Sequence, residues 1–195
     1  MSDQGIRISA VRTAQQAADQ TRSSPRSQGG DRSAPAGFRP ELQFIALVMV
    51  KFKPPVMLGR SPEGLRLDFH AQGGTVQGEA ITARVRENSA DYMVIRRDGM
   101  GLLNIRATLE TDDGALIAAQ ETGLIDFGED GYARIAAGDF PDGYHLQASA
   151  KFLTEHPKYQ WMNRVGFVGA GYASVKELIL RYELFAVRTP SSNEG

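Results

Sequence analysis

Short β-type runs separated by turn signals dominate the sequence over residues 41–187. In several runs apolar and polar residues alternate, as over 144–152, where every second residue is apolar. A two-residue period is that of a half-buried strand, because successive strand side chains point to opposite faces of a sheet. About eight to ten such runs, with one short helix over 129–137, predict an all-β fold. Because short turns join neighbouring runs, we expect a single antiparallel up-and-down β-barrel.

The clearest local unit is a hairpin made of residues 102–111 and 115–124 around an Asp-Asp-Gly turn. A two-residue Asp-Gly turn would pair Arg106 with Glu121 as oppositely charged cross-strand neighbours. Asn104 then lies on the same face as this pair. The polar face of Asn104, Arg106 and Glu121 either lines the barrel interior or faces solvent.

Residues 1–40 differ from the rest in being rich in Ser, Arg, Gln, Gly and Pro. Such a segment buries too little apolar surface to offset the entropy lost on ordering, so we expect a disordered N-terminal arm. The arm holds six arginines and three aspartates, and it is either a partner-docking segment or a solvated leader. The predicted organisation is this arm, a barrel domain over 41–188 and a flexible tail over 189–195.

Composition excludes several classes of partner. The net charge of −1 gives no basic surface typical of nucleic-acid binding. The longest apolar run, over 44–50, is far shorter than the roughly 20 residues of a membrane-spanning helix. The absence of cysteine fits a cytoplasmic protein, and the histidine spacing matches no metal motif. We therefore expect no nucleic acid, membrane, metal or cofactor.

Five short motifs occur in a characteristic order: Gly73-Gly74-x-x-x-Gly78, Ala90-Asp91-Tyr92, Leu109-x-Thr111-Asp112-Asp113-Gly114-Ala115, Tyr159-x-Trp161-Met162-Asn163-Arg164 and Phe167-Val168-Gly169. Together they resemble the bacterial domain-of-unknown-function 3237 family, also called the UPF-0311 proteins, over 41–187. The resemblance implies a lipocalin-like or allene-oxide-cyclase-like barrel that self-associates, so we expect a homo-oligomer. It brings no established catalytic residues. Where the family usually has an aspartate, this chain has Asn104, which cannot act as a base.

Three side chains are candidate catalytic groups. Asp91 lies at a strand start and would serve as a base if burial raised its pKa toward neutrality; otherwise it caps a turn. Arg106 would bind a carboxylate or enolate oxygen with help from Asn104, or else form a surface ion pair with Glu121. His145, on a strand face, is either an acid–base residue or a packing residue.

The candidate substrate-binding residues are Asn104, Glu121, Tyr159, Trp161 and Asn163. The last three alternate in what we predict to be an extended segment, so they would either wall an aromatic pocket or plug one end of the barrel. The preferred hypothesis is a small-molecule-binding barrel that acts as a cofactor-independent isomerase, cyclase or lyase on a partly apolar organic substrate. The alternatives are a non-catalytic carrier of a small ligand and a solid structural barrel.

Overall fold

The computed structural model describes residues 39–140 and 143–189. The predictions for the N-terminal arm and the C-terminal tail therefore lie almost wholly outside the described residues. The described elements are ten strands, one α-helix and one 3₁₀ helix: β1 (Glu41–Phe52), β2 (Val56–Arg60), β3 (Leu65–Gln77), β4 (Thr82–Val85), β5 (Ala90–Ile95), β6 (Met100–Thr111), β7 (Leu116–Asp126), α1 (Gly131–Ala136), β8 (Tyr144–Leu153), the 3₁₀ helix (Pro157–Arg164), β9 (Phe167–Ser174) and β10 (Ile179–Arg188). Within these ranges no helix is both long and apolar enough to cross a membrane.

The strands close into an antiparallel up-and-down barrel with eight strand positions, as the sequence predicts. β1 pairs with β10 on one side and with β3 on the other, which closes the sheet. Two of the eight positions each hold two strands. β4 and β5 share one position, since both pair with β3 and β6, and β2 shares the other with β1, since it continues the line of β1 along β3. Pro54 and Pro55 interrupt the line of β1, because proline has no N–H to donate to a sheet ladder.

Alternate residues of each strand point inward and form one apolar core. On β10, Leu180, Tyr182 and Leu184 are buried while the residues between them are exposed. The same alternation holds on β8 and β7. The two-residue period predicted from sequence therefore corresponds to the inner and outer faces of the barrel wall.

The β6–β7 hairpin forms where predicted, but its register differs by one residue. Ile105, and not Arg106, lies opposite Glu121. The loop has three residues, since the N–H of Thr111 donates to the carbonyl of Ala115 (3.0 Å) and Gly114 has a φ of 81°. Compared with a two-residue turn, a three-residue loop with a left-handed glycine shifts the pairing of the two strands by one residue. Because side chains alternate between the two faces of a strand, a one-residue shift exchanges the face on which each side chain lies.

The predicted polar face is therefore wrong. Glu121 points into the barrel, whereas Asn104 and Arg106 lie on the outer surface and are exposed. Arg106 donates a hydrogen bond to the carbonyl of Ile105 (3.0 Å) rather than to Glu121.

Short helices lie at the two ends of the barrel. The 3₁₀ helix follows β8, at the end that carries the β6–β7 turn, and buries Tyr159 and Met162. α1 follows β7 at the opposite end and buries Ile135. The sequence predicts an extended segment where the 3₁₀ helix forms, and that prediction is wrong.

Candidate functional site

Two small cavities lie inside the barrel, one containing Glu121 and the other containing Asp91. We name them the Glu121 cavity and the Asp91 cavity. Each has a volume of about 30 Å³, which is room for about two water molecules. Phe52 and Leu180 line both cavities and therefore form the partition between them.

Glu121 reaches the interior because of the β6–β7 register, and its partner there is Tyr182 of β10. The Tyr182 hydroxyl donates to the Glu121 carboxyl, with both carboxyl oxygens 2.9 Å away. Burial raises the pKa of Glu121 from its ordinary 4.5 to about 7, and the Tyr182 hydrogen bond only partly opposes this rise. Burial likewise raises the pKa of Tyr182 well above 10.0, and the nearby Glu121 charge adds to that rise.

Two glycines on β9 make room for the tyrosine. A Cβ atom on Gly169 would lie 2.8 Å from the Tyr182 ring, and one on Gly171 would lie 2.4 Å from the Tyr182 Cα. Both distances are too short for any side chain larger than hydrogen. The Gly-Ala-Gly sequence of β9 therefore positions the Tyr182–Glu121 pair.

Asp91 is held at the inner face of β5. Its Oδ1 atom accepts the backbone N–H of Asn104 at 2.9 Å, and the residue is only 4% exposed. Burial raises the pKa of Asp91 from its ordinary 3.8 to about 7; the Asn104 hydrogen bond opposes this rise, and the charge of Glu121 adds to it.

The two carboxyl groups flank one residue of β6. Asp91 lies opposite Ile105, which in turn lies opposite Glu121. Three adjacent strands therefore place both acids in the same row of the barrel wall. Their mutual repulsion favours states in which at least one of them is protonated.

No lysine, arginine or histidine of the described chain lines either cavity. The walls are otherwise aliphatic and aromatic, apart from Ser89, Ser174 and Tyr182. A buried carboxylate without a counterion is costly, which is why the two interior acids gain protons near neutral pH. Over the described ranges, no cluster of three or more histidine, aspartate and glutamate side chains could hold a metal ion.

Of the predicted site residues, all of which the structure describes, Asp91 and Glu121 are the two that line the cavities. Arg106 and Asn104 are on the outer face, and His145 is also exposed there, opposite Tyr172 of β9. None of these three can contact a molecule held in either cavity. Asp91 points inward, as its predicted role requires, whereas Arg106 and His145 point outward, away from both cavities.

The three alternating residues of the 3₁₀ helix do not share a pocket. In a 3₁₀ helix side chains three apart are aligned, so alternate residues point in different directions. Tyr159 is buried, Trp161 is half-buried against Phe167 with ring centres 5.9 Å apart, and Asn163 is exposed. The Asn163 amide donates to the carbonyl of Thr154 (2.8 Å) and accepts its N–H (2.9 Å), so it holds the loop before the helix.

Sequence reasoning misses Tyr182 and Ser174 as polar members of the interior. Ser174 is 3% exposed, lines the Asp91 cavity and accepts the N–H of Glu177 at 3.0 Å. The alternation of the last strand places Tyr182 on its apolar face and gives it no polar role. A phenol hydroxyl on a buried face requires a hydrogen-bond partner, and from this requirement a polar partner for Tyr182 could have been predicted.

Residues 40–187 match the family described as "Protein of unknown function (DUF3237)". The chain belongs to this family. The predicted resemblance is thereby confirmed. Among DUF3237-type relatives, the UPF0311 protein RPA1785 of Rhodopseudomonas palustris is 27% identical over 142 residues, which cover 72% of this chain and 93% of the relative.

Solved structures share the barrel. A β-barrel-like protein from Acinetobacter baumannii superposes with a TM-score of 0.66 at 29% identity, covering 77% of this chain and 97% of that protein. An enzyme from Penicillium herquei has a TM-score of 0.59 at 18% identity, covering 80% of this chain and 98% of the enzyme. At that identity the second comparison concerns the fold alone.

Proposed function

We propose that the barrel is a cofactor-independent acid–base enzyme, an isomerase, cyclase or lyase, acting on a small and partly apolar organic molecule. The observation that carries this proposal is the pair of carboxyl groups, Asp91 and Glu121, buried in an apolar barrel without an interior cation among the described residues. The proposed setting is the cytoplasm, in line with the cysteine-free composition.

Acid–base catalysis is most efficient when the pKa of the catalytic group lies near the working pH. Both interior carboxyls have a pKa of about 7, so each is present in its protonated and its ionised form near neutrality. One can therefore accept a proton from the substrate while the other donates one. The net reaction moves a proton within the substrate and exchanges the protonation states of the two carboxyls, which then reset through water.

The hydrogen-bond partners assign the two roles. Asp91 accepts a backbone N–H, a partner that can only donate and so favours the carboxylate, which makes Asp91 the base. The Glu121 carboxyl is hydrogen-bonded to the hydroxyl of Tyr182, which can rotate to accept a hydrogen bond as well as to donate one. Glu121 is thus the acid, with Tyr182 stabilising either of its states.

A substrate larger than a few water molecules requires the interior to open. Phe52, half-buried at the end of β1, and Leu180 separate the two cavities, so their displacement would join the cavities into one chamber with both acids. Val175 and Leu178 of the β9–β10 turn line the Asp91 cavity and also an outer depression. Because its residues line both, we assign this turn as the route of access between the interior and solvent.

A second candidate function is that of a carrier for a small apolar ligand. The mostly aliphatic and aromatic walls of both cavities favour it. The carboxyl pair distinguishes the two functions, because a carrier of apolar molecules gains nothing from buried acids that cost stability.

Proton exchange in D₂O with model substrates tests the proposal. The protein is incubated with enolisable apolar ketones such as 2-tetralone, and loss of the acidic C–H signal is followed by proton NMR. We expect the wild-type chain to accelerate exchange and Asp91→Asn to reduce that acceleration about 100-fold or more. Arg106→Ala is the matched control and should exchange at the wild-type rate.

Glu121→Gln tests the acid. Deuterium enters the substrate carbon only when a bound enolate is reprotonated, so this variant should slow both exchange and product formation from a pre-formed enol. Wild-type exchange rates in both Asp91→Asn and Glu121→Gln would overturn the acid–base proposal, as would a loss of exchange in Arg106→Ala.

A further inference from the structure

We infer that the interior admits uncharged, oxygen-bearing apolar molecules and rejects organic anions of the same size. This inference rests on the proposed function and adds to it the charge of the substrate. It also replaces the expectation that Arg106 binds a carboxylate or enolate, since that side chain lies outside the barrel.

The charges that line the interior disfavour organic anions. Every charged side chain that lines the two cavities is acidic: Glu121 in one and Asp91 in the other. The arginine whose charge acts on Asp91 is Arg66, and its guanidinium is already hydrogen-bonded to the Asp68 carboxylate. An anionic ligand would therefore lose its hydration beside two acids without meeting a cation, and this is unfavourable in an apolar enclosure.

Uncharged, oxygen-bearing molecules find hydrogen-bond partners in the interior. A hydroxyl or carbonyl group can accept a hydrogen bond from a protonated carboxyl, and a hydroxyl can donate one to a carboxylate. Ser174 lines the Asp91 cavity, and its oxygen accepts a backbone N–H. Its hydroxyl hydrogen has no acceptor among the hydrogen bonds of the described residues, so it can be donated to a ligand. The interior thus offers an oxygen-bearing molecule a partner in either protonation state of the acids.

Organic cations find too few acceptors in either cavity. An ammonium group carries three donors and needs several acceptors when it is buried. Each cavity supplies a single carboxyl, and each carboxyl already accepts a hydrogen bond, from Asn104 for Asp91 and from Tyr182 for Glu121. Ile105 stands between the two acids, so they do not converge on one point. A buried cation would remain incompletely paired, and the geometry favours the uncharged ligand over it as well.

The test compares three ligands built on the same ring: benzyl alcohol, benzoate and benzylammonium. Their dissociation constants for the full chain are measured at pH 7 by ligand-observed NMR. We expect benzyl alcohol to bind at least about tenfold more tightly than either ion, because only the ions lose hydration without a matched partner. Arg106→Ala serves as a control, since it removes an exposed cation on which benzoate could bind outside the barrel.

The double variant Asp91→Asn, Glu121→Gln removes both interior acids and retains their size. We expect the preference for benzyl alcohol over benzoate to shrink in this variant, because the repulsion of the anion is gone. Equal or tighter binding of benzoate or benzylammonium by the wild-type interior would overturn the charge selection and leave a small-molecule-binding function standing. Failure of all three ligands to bind would overturn the proposed function together with this inference.

Discussion

Asp91 and Glu121 make the stability of the folded chain depend on pH in an unusual direction. Their folded-state pKa values are about 7, above the ordinary values of 3.8 and 4.5 that apply in the unfolded chain. Between about pH 4 and pH 7 the folded state therefore binds more protons than the unfolded state. The contribution of these residues to stability is fully present below that window, is lost as pH rises through it, and is constant above it.

Asp91→Asn tests this behaviour at a single residue. Asparagine keeps an oxygen for the Asn104 N–H and cannot ionise, so at pH 8 the variant should be more stable than wild type by about 1–3 kcal/mol. The difference should disappear or reverse at pH 4.5. Urea denaturation at the two pH values measures it, with Glu63→Gln, at an exposed loop position, as the control that should change little at either pH. A variant less stable than wild type at pH 8 would show that burying the ionised Asp91 carboxylate costs the folded state no stability.

At the scale of elements, the β6–β7 hairpin shows what the sequence could and could not predict. Alternation and the Asp-Asp-Gly turn predict both strands to within a few residues. The same turn residues suit a two-residue or a three-residue loop, and the two loops place Glu121 on opposite faces. Asp113 of the turn accepts hydrogen bonds from Lys158 (2.9 Å) and Tyr159 (3.3 Å) in the 3₁₀ helix, a long-range contact that local sequence reasoning does not include.

The three-residue loop depends on a left-handed glycine, and Gly114→Ala tests it. Gly114 has a φ of 81° with open space around it, so alanine is strained by its backbone conformation and not by a clash. We expect a loss of about 1 kcal/mol in the free energy of unfolding, measured by chemical denaturation. Gly166→Ala is the matched control: it too has open space but no left-handed φ, and it should cost less. Equal effects at the two glycines would contradict the loop geometry.

The barrel as a whole explains why fold and site were not equally predictable. Strand alternation and turn residues are local signals, and they suffice for the all-β, up-and-down architecture. The site depends instead on which face of each strand points inward and on contacts between strands far apart in sequence. Tyr182 and Glu121 lie on β10 and β7, so their pairing appears only once the sheet is closed.

The outward positions of Arg106 and His145 follow from the same closure. Each lies on a strand whose alternate positions are buried, and the apolar neighbours, such as Ile105 and Leu146, take the inner face. In a barrel with two cavities of about 30 Å³, little interior space remains for a long charged side chain. A charged residue in the sequence therefore does not predict an interior position in this barrel. The exceptions are the two acids, whose side chains are shorter.

The proposed chemistry depends on a barrel interior that holds two carboxyl groups changing protonation near neutral pH. Carbon-13 NMR titration of the Asp91 and Glu121 side-chain carboxyl carbons, assigned with the Asp91→Asn and Glu121→Gln variants, measures this most directly. We expect both signals to shift with midpoints near pH 7. Midpoints near pH 4 for both signals, the values of carboxyls in water, would contradict the proposed protonation behaviour.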